Sequence, residues 1–208
     1  ITTDLDDNQI TAFHPGAMTY SHLNRVSDAP GATLGIVAPD GRDGMLQHAR
    51  DLATAGIPFV FDPGQGLPMF SGDDLMQFMK LASYACFNDY EAKLLCDRTG
   101  RSLEQLAGEV EALVVTLGGE GSRIHAGGRW HEIPCVKPYA VIDPTGCGDA
   151  YRSGLLYGIA AGWDWQQTGR LAAVMGAIKI AHRGGQNHRP TRNEIAKHFA
   201  KAFGSAPW

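Results

Sequence analysis

From Thr33 onward, apolar residues arrive in short uninterrupted runs, and the stretches between the runs carry apolar positions at helical spacing. Thr33–Ala38 (TLGIVA) and Ile57–Phe61 (IPFVF) predict buried strands. Between them, Arg42–Ala55 predicts a helix with Leu46, Ala49, Leu52 and Ala53 on one face, which completes a βαβ unit. The alternation continues with a helix over Asp73–Tyr84, a strand over Ala85–Phe87, a helix over Tyr90–Cys96 closed by Gly100, and a strand over Leu113–Thr116. Ser122–Ile133 predicts two short strands turning at Gly127–Gly128. Helices follow over Gly148–Ala161, Trp165–His182 and Thr191–Ala202, the last opening on a capping pattern between Thr191 and Glu194. Near the start, Gln9–Phe13 predicts a short strand ended by His14, Pro15 and Gly16. Continuous apolar strands between helices predict an α/β fold, a doubly wound parallel sheet with helices on both faces.

Composition narrows the function without naming it. A chain of 208 residues with 44% hydrophobic residues can bury the core of one main domain. A net charge of -4 and no long basic run give no attraction for nucleic acid or an anionic membrane, so a small-molecule partner is expected. Cys86, Cys96, Cys135 and Cys147 form no CxxC pair, which argues against a zinc site or a disulfide framework and fits a reducing cytoplasm. No apolar run is long enough to span a membrane. The chain starts at Ile1 in an acidic segment that reads as the middle of something, so a missing N-terminal part is expected.

Candidate chemistry concentrates in Val141–Gly154 (VIDPTGCGDAYRSG), where Gly146 and Gly148 bracket Cys147 just before a small-residue helix. A strand, a glycine loop and a helix in succession expose backbone N–H groups and the positive helix end, an anion site suited to phosphate. Asp149 stands in the first helical turn beside that site, where a carboxylate can accept a proton from an attacking hydroxyl. Taken alone, the same residues also read as a glycine turn and a helix-capping acid. Asn88 and Glu91 likewise have two compatible readings, an N-cap box and an oxygen pair near phosphates. P-loop, dinucleotide-binding, zinc-protease and nucleophile-elbow patterns do not occur. Trp163 and Trp165 read as packing anchors.

Asp143–Asp149 (DPTGCGD) resembles the C-terminal signature of the PfkB, or ribokinase-like, kinases, with Pro144 and Cys147 as departures, and looks closest to bacterial adenosine kinase-like members. The family order is kept by Asn88–Glu91, which resembles its Asn-x-x-Glu element, and by Thr116–Gly121, which resembles its nucleotide loop. The resemblance implies ATP and Mg2+ as cofactors, with Asp149 as the base and the N–H groups of Gly146, Cys147 and Gly148 on the transferring phosphoryl oxygens. It assigns Asn88, Glu91, Thr116, Gly118, Gly121 and Gly185 to nucleotide binding, Glu91 to Mg2+ through water, and Asp143 and Thr145 to a monovalent cation such as K+. Lys179, His182 and Arg183 read as ordinary helix-end cations, and His188 has no assigned role.

The family's N-terminal Gly-Gly element and Asp-rich sugar-binding strand have no counterpart here. Residues 1–17 are accordingly expected to be part of a small β lid and its return, and residues 18–208 the ATP-binding and catalytic α/β domain. An exposed lid strand could pair with a second subunit through its edge, so a homodimer is expected. The reaction implied is phosphoryl transfer from MgATP to the hydroxymethyl of a ribose-containing substrate, with the 5'-hydroxyl of adenosine first. The alternatives are a PfkB sugar kinase of ribose or fructose type and an inactive nucleotide-binding fragment of such a kinase.

Overall fold

Phe59 and Phe61 enter one core layer while Val60, between them, enters another, and this two-residue alternation organises the whole molecule. The computed structural model describes residues 12–208 together with the backbone of Thr2–Thr3 (β1) and Gln9–Ile10 (β2). These two short strands pair antiparallel, Thr2 opposite Ile10, and residues 1, 4–8 and 11 of the expected lid segment lie outside the described residues.

Four strands, β3 (Gly35–Val37), β4 (Phe59–Phe61), β5 (Tyr84–Asn88) and β6 (Ala112–Thr116), run parallel in sequential order. The predicted hairpin adds β7 (Ser122–Ala126) and β8 (Arg129–Ile133) antiparallel at the far edge, so the sheet of six strands is mixed. Among the described residues the strand order never reverses. Each crossover therefore steps the same way, and α1 (Arg42–Thr54), α2 (Gly72–Leu81), α3 (Asp89–Thr99) and the short α4 (Leu103–Ala107) pack on one face. The opposite face is covered by α5 (Cys147–Ala160) and α6 (Trp165–Ile180), with α7 (Arg192–Phe203) laid outside α6 through Phe199. Helices on both faces are thus present, as the sequence pattern implies.

Boundaries move where pairing outcompetes helical spacing. The helix expected to reach Tyr84 stops at Leu81, because Tyr84 pairs with both Val60 and Ala112 in the sheet. Helix α4 was not expected, although Ser102 and Gln105 form a full capping box that marks its start. Among the described residues, no helix is long and apolar enough to cross a membrane.

Helices α5 and α6 approach closely, backbone to backbone. A Cβ added at Gly154 would stand 2.6 Å from Ala172 Cα and 2.8 Å from its nitrogen, so the obstacle is backbone and cannot rotate away. Gly154→Ala should therefore lose about 1–3 kcal/mol in urea unfolding from overpacking, despite the roughly 1 kcal/mol that alanine gains in helix propensity. An unchanged or raised midpoint would contradict this contact.

Candidate active site

The parallel strands end together, and their carboxyl ends carry the candidate residues. Asn88 closes β5 directly opposite Thr116, which closes β6, and Asp62 follows the last residue of β4. Crevices at these ends are where open α/β sheets place ligands.

Gly146 sets up the α5 N-terminus by taking a left-handed φ of 80°. A Cβ there would lie 3.1 Å from Gly185 Cα and carbonyl oxygen, so the turn needs glycine for conformation and for its approach to the loop after α6. The N–H of Cys147 donates to the Pro144 carbonyl at 3.1 Å, tightening the turn. That bond engages the N–H expected to face the phosphoryl oxygens. Burial pushes the Cys147 thiol above its ordinary range, opposed by the nearby Lys179 charge. Asp149 is exposed in the first turn and pairs with no other group among the described residues.

Beside this turn opens a cleft of about 390 Å³, a size suited to one nucleotide-like ligand. Thr116, Gly118 and Gly121 line it, as do Cys147 and Gly148, so the expected nucleotide loop and the glycine turn meet at one cavity. Gly121, at φ 98°, has no room for a side chain against the Ile133 carbonyl. The floor is closed by the buried hydroxyls of Tyr151 and Ser122, 2.7 Å apart. A wall of small residues, Ala173, Gly176 and Ala177, comes from α6 and was not anticipated, although its i, i+3, i+4 spacing was available. Val136 and Ile180 make the lining largely apolar.

Asn88 and Glu91 lie outside that lining and form a reciprocal cap on α3. Asn88 Oδ1 accepts from the Glu91 N–H at 2.7 Å, and Glu91 Oε2 accepts from the Asn88 N–H at 2.9 Å. Burial pushes the Glu91 carboxyl above its ordinary range, against the pull of the Asn88 N–H and of Arg152. Arg152 belongs to the site although no sequence signal marked it. Its Nε and Nη2 each donate at 2.7 Å to the two carboxylate oxygens of Asp62, a bidentate pair with side chains only 13% and 8% exposed. A Cβ at Gly148 would come within 2.7 Å of the third nitrogen, Nη1, so the pair backs directly onto the helix mouth.

The two residues expected at a monovalent cation, Asp143 and Thr145, are tied to each other and to the loop after α6. Asp143 Oδ1 accepts from the Thr145 N–H at 2.9 Å and Oδ2 from the Gly184 N–H at 2.7 Å. These two N–H donors, Gly184 first, hold the Asp143 carboxyl down at about 2. The carboxylate is thereby a brace between two loops, and Thr145 serves that brace. Lys179, read from the sequence as an ordinary helix-end cation, does lie in the last turn of α6 but is fully buried. Among the described residues no group of three or more His, Cys, Asp or Glu side chains could hold a metal by itself.

The sequence model of the pfkB family carbohydrate kinases matches residues 20–192. The solved Burkholderia thailandensis nucleoside kinase in complex with inosine is 56% identical, with a TM-score of 0.95 over 98% of this chain and 67% of that one. A nucleoside kinase of Methanocaldococcus jannaschii is 33% identical over 204 residues, 97% of this chain and 66% of that protein. A Thermotoga maritima ribokinase, 18% identical with a TM-score of 0.78 over 96% of this chain and 67% of its own, shares the fold. The chain spans about two thirds of the length of these relatives.

Proposed function

The chain belongs to the PfkB family of carbohydrate kinases, and from that premise we propose that it carries the nucleotide site and base of an ATP-dependent nucleoside kinase. The observation that carries this reading is the α5 N-terminus, set between a cleft of about 390 Å³ and the exposed Asp149. A donor nucleotide and an acceptor hydroxyl can thus meet at one helix end.

In this mechanism the apolar cleft takes the adenine and ribose of ATP, with Gly118 and Gly121 allowing backbone to approach closely. The N–H groups at the mouth of α5, those of Gly146 and Gly148 foremost, face the transferring phosphoryl oxygens, and the helix dipole adds to the attraction. Cys147 contributes its N–H when the turn bond to Pro144 yields. Asp149 takes the proton of the acceptor hydroxyl as its oxygen bonds to the γ-phosphorus and the bond to the β-phosphate oxygen breaks. Mg2+, when bound, neutralises charge on the phosphates, and Glu91 reaches it through water.

The acceptor is the 5'-hydroxyl of a purine ribonucleoside. Adenosine follows from the sequence resemblance, and the inosine bound in the Burkholderia relative supports adding inosine beside it. Measuring ADP release with inosine, adenosine, ribose and fructose tests the proposal. The purine nucleosides should give the highest kcat/KM, because binding the base contributes to orienting the hydroxyl. Preference for a free sugar would move the assignment to a sugar kinase. ATP binding without turnover of any acceptor would favour a nucleotide-binding fragment.

A further inference from the structure

We propose that Lys179 is the chain's own monovalent cation, its ammonium bridging the loop of Asp143 and Thr145, where a K+ ion was expected, to the loop after α6. The proposal deepens the kinase reading above and rests on it.

Lys179 lies in the last turn of α6 with none of its surface exposed. Its Nζ donates to the Asp143 carbonyl at 2.8 Å and to the His182 carbonyl at 3.0 Å. Those acceptors belong to the loop that leads into α5 and the loop that leaves α6. The same two loops touch at Gly146 and Gly185, and Asp143 ties them again through the N–H of Gly184. One buried ammonium therefore sits at the junction that shapes the phosphate-binding turn.

An ion such as K+ would need several oxygens converging on one point. Here Nζ itself sits where the Asp143 and His182 carbonyls converge, and the Asp143 carboxylate oxygens are turned to the N–H groups of Thr145 and Gly184. The remaining surroundings do not invite a second positive charge. His188 has its Nδ1 buried without a partner among the described residues, and its pKa is lowered first by burial and then by Lys179 and His182. The Asp143 carboxyl is held down first by the Gly184 and Thr145 N–H groups and last by the Lys179 charge. A free cation placed beside Nζ would meet like charge at short range in a partly dry site, where repulsion is strong. The lysine is tethered to its helix, so the junction forms without recruiting an ion from solution.

The test compares potassium chloride with choline chloride at equal ionic strength, reading the melting temperature and the dissociation constant for ADP. The wild-type protein should give the same melting temperature in both, and ADP constants that agree to within about twofold. Thallium(I), a potassium surrogate, should show no site-bound NMR signal. Lys179→Ala removes the ammonium and leaves a carbonyl-lined space, so it should melt lower in choline and regain stability with potassium or ammonium chloride. A potassium-specific rise in wild-type melting temperature or ADP affinity, or a bound thallium signal, overturns the proposal. So does a folded Lys179→Ala variant that is indifferent to both ions. If that variant does not fold, the wild-type measurements decide alone. None of these readouts needs phosphoryl transfer, so failure to turn over any acceptor would count against the kinase reading and not against this one.

Discussion

Asp149→Asn should lower kcat by about 10^2 to 10^4 while leaving ADP and ATP affinity near that of the unaltered protein. The substitution keeps the shape of the side chain and removes the proton acceptor. In free energy the expected loss is about 3–5 kcal/mol at the transition state. The competing explanation, that Asp149 only complements the α5 dipole, limits the effect to about 0.3–1 kcal/mol of stability and predicts little change in kcat. The two readings thus differ by several kcal/mol in one measurement. Exposure of Asp149 in the first turn, with no partner among the described residues, is what a base awaiting its substrate requires. Removing its negative charge from the helix mouth should, if anything, tighten nucleotide binding. Steady-state ADP release and a nucleotide titration on the same variant separate these effects, and a near-normal kcat would exclude the base role.

Arg152→Ala or Asp62→Ala should each destabilise the fold by about 3–5 kcal/mol, because either one strands a buried charge. The geometry is bidentate at 2.7 Å with both side chains nearly closed to solvent. Nearby Cys86 cannot take over the carboxylate's part, since burial pushes its thiol up to about 12 and keeps it neutral. Replacing both partners with apolar residues of similar volume should recover much of that stability, since the desolvation of two ions is then avoided. Activity should behave differently. Arg152 Nη1 backs onto Gly148, so the stable double replacement should still lose kcat through a loosened helix mouth. Chemical denaturation and turnover on the two single variants and the double one provide the test. A double variant with wild-type kcat would reduce the pair to a structural tie.

Much of this molecule is readable from residues a few positions apart. The strand and helix alternation follows from hydrophobic period, and the Asn88–Glu91 and Thr191–Glu194 caps follow from side chains that reach a backbone three residues away. Gly146, Gly148 and Asp149 mark the helix mouth in sequence because a glycine turn and a first helical turn are built from consecutive residues. Thr116, Gly118 and Gly121 could be matched to the same cavity as Cys147 and Gly148 only by their resemblance to a known order. The dual readings of Asn88 and Glu91 stay compatible, since the cap engages only Oε2 of the Glu91 carboxylate.

What the sequence alone determined, then, is the layered α/β plan and the helix mouth that bears Asp149, because both arise from interactions within a few residues. Tertiary structure decided the remainder. The Asp62–Arg152 pair joins residues 90 positions apart, and the wall of Ala173, Gly176 and Ala177 gains meaning only when α6 is laid beside the β6–β7 turn. Lys179 makes the same point most clearly. In sequence it is one more cation at a helix end, and it becomes a buried bridge between two loops only because the fold brings Asp143 and His182 to the same nitrogen. Such contacts depend on sheet register and helix packing, and no local pattern encodes them.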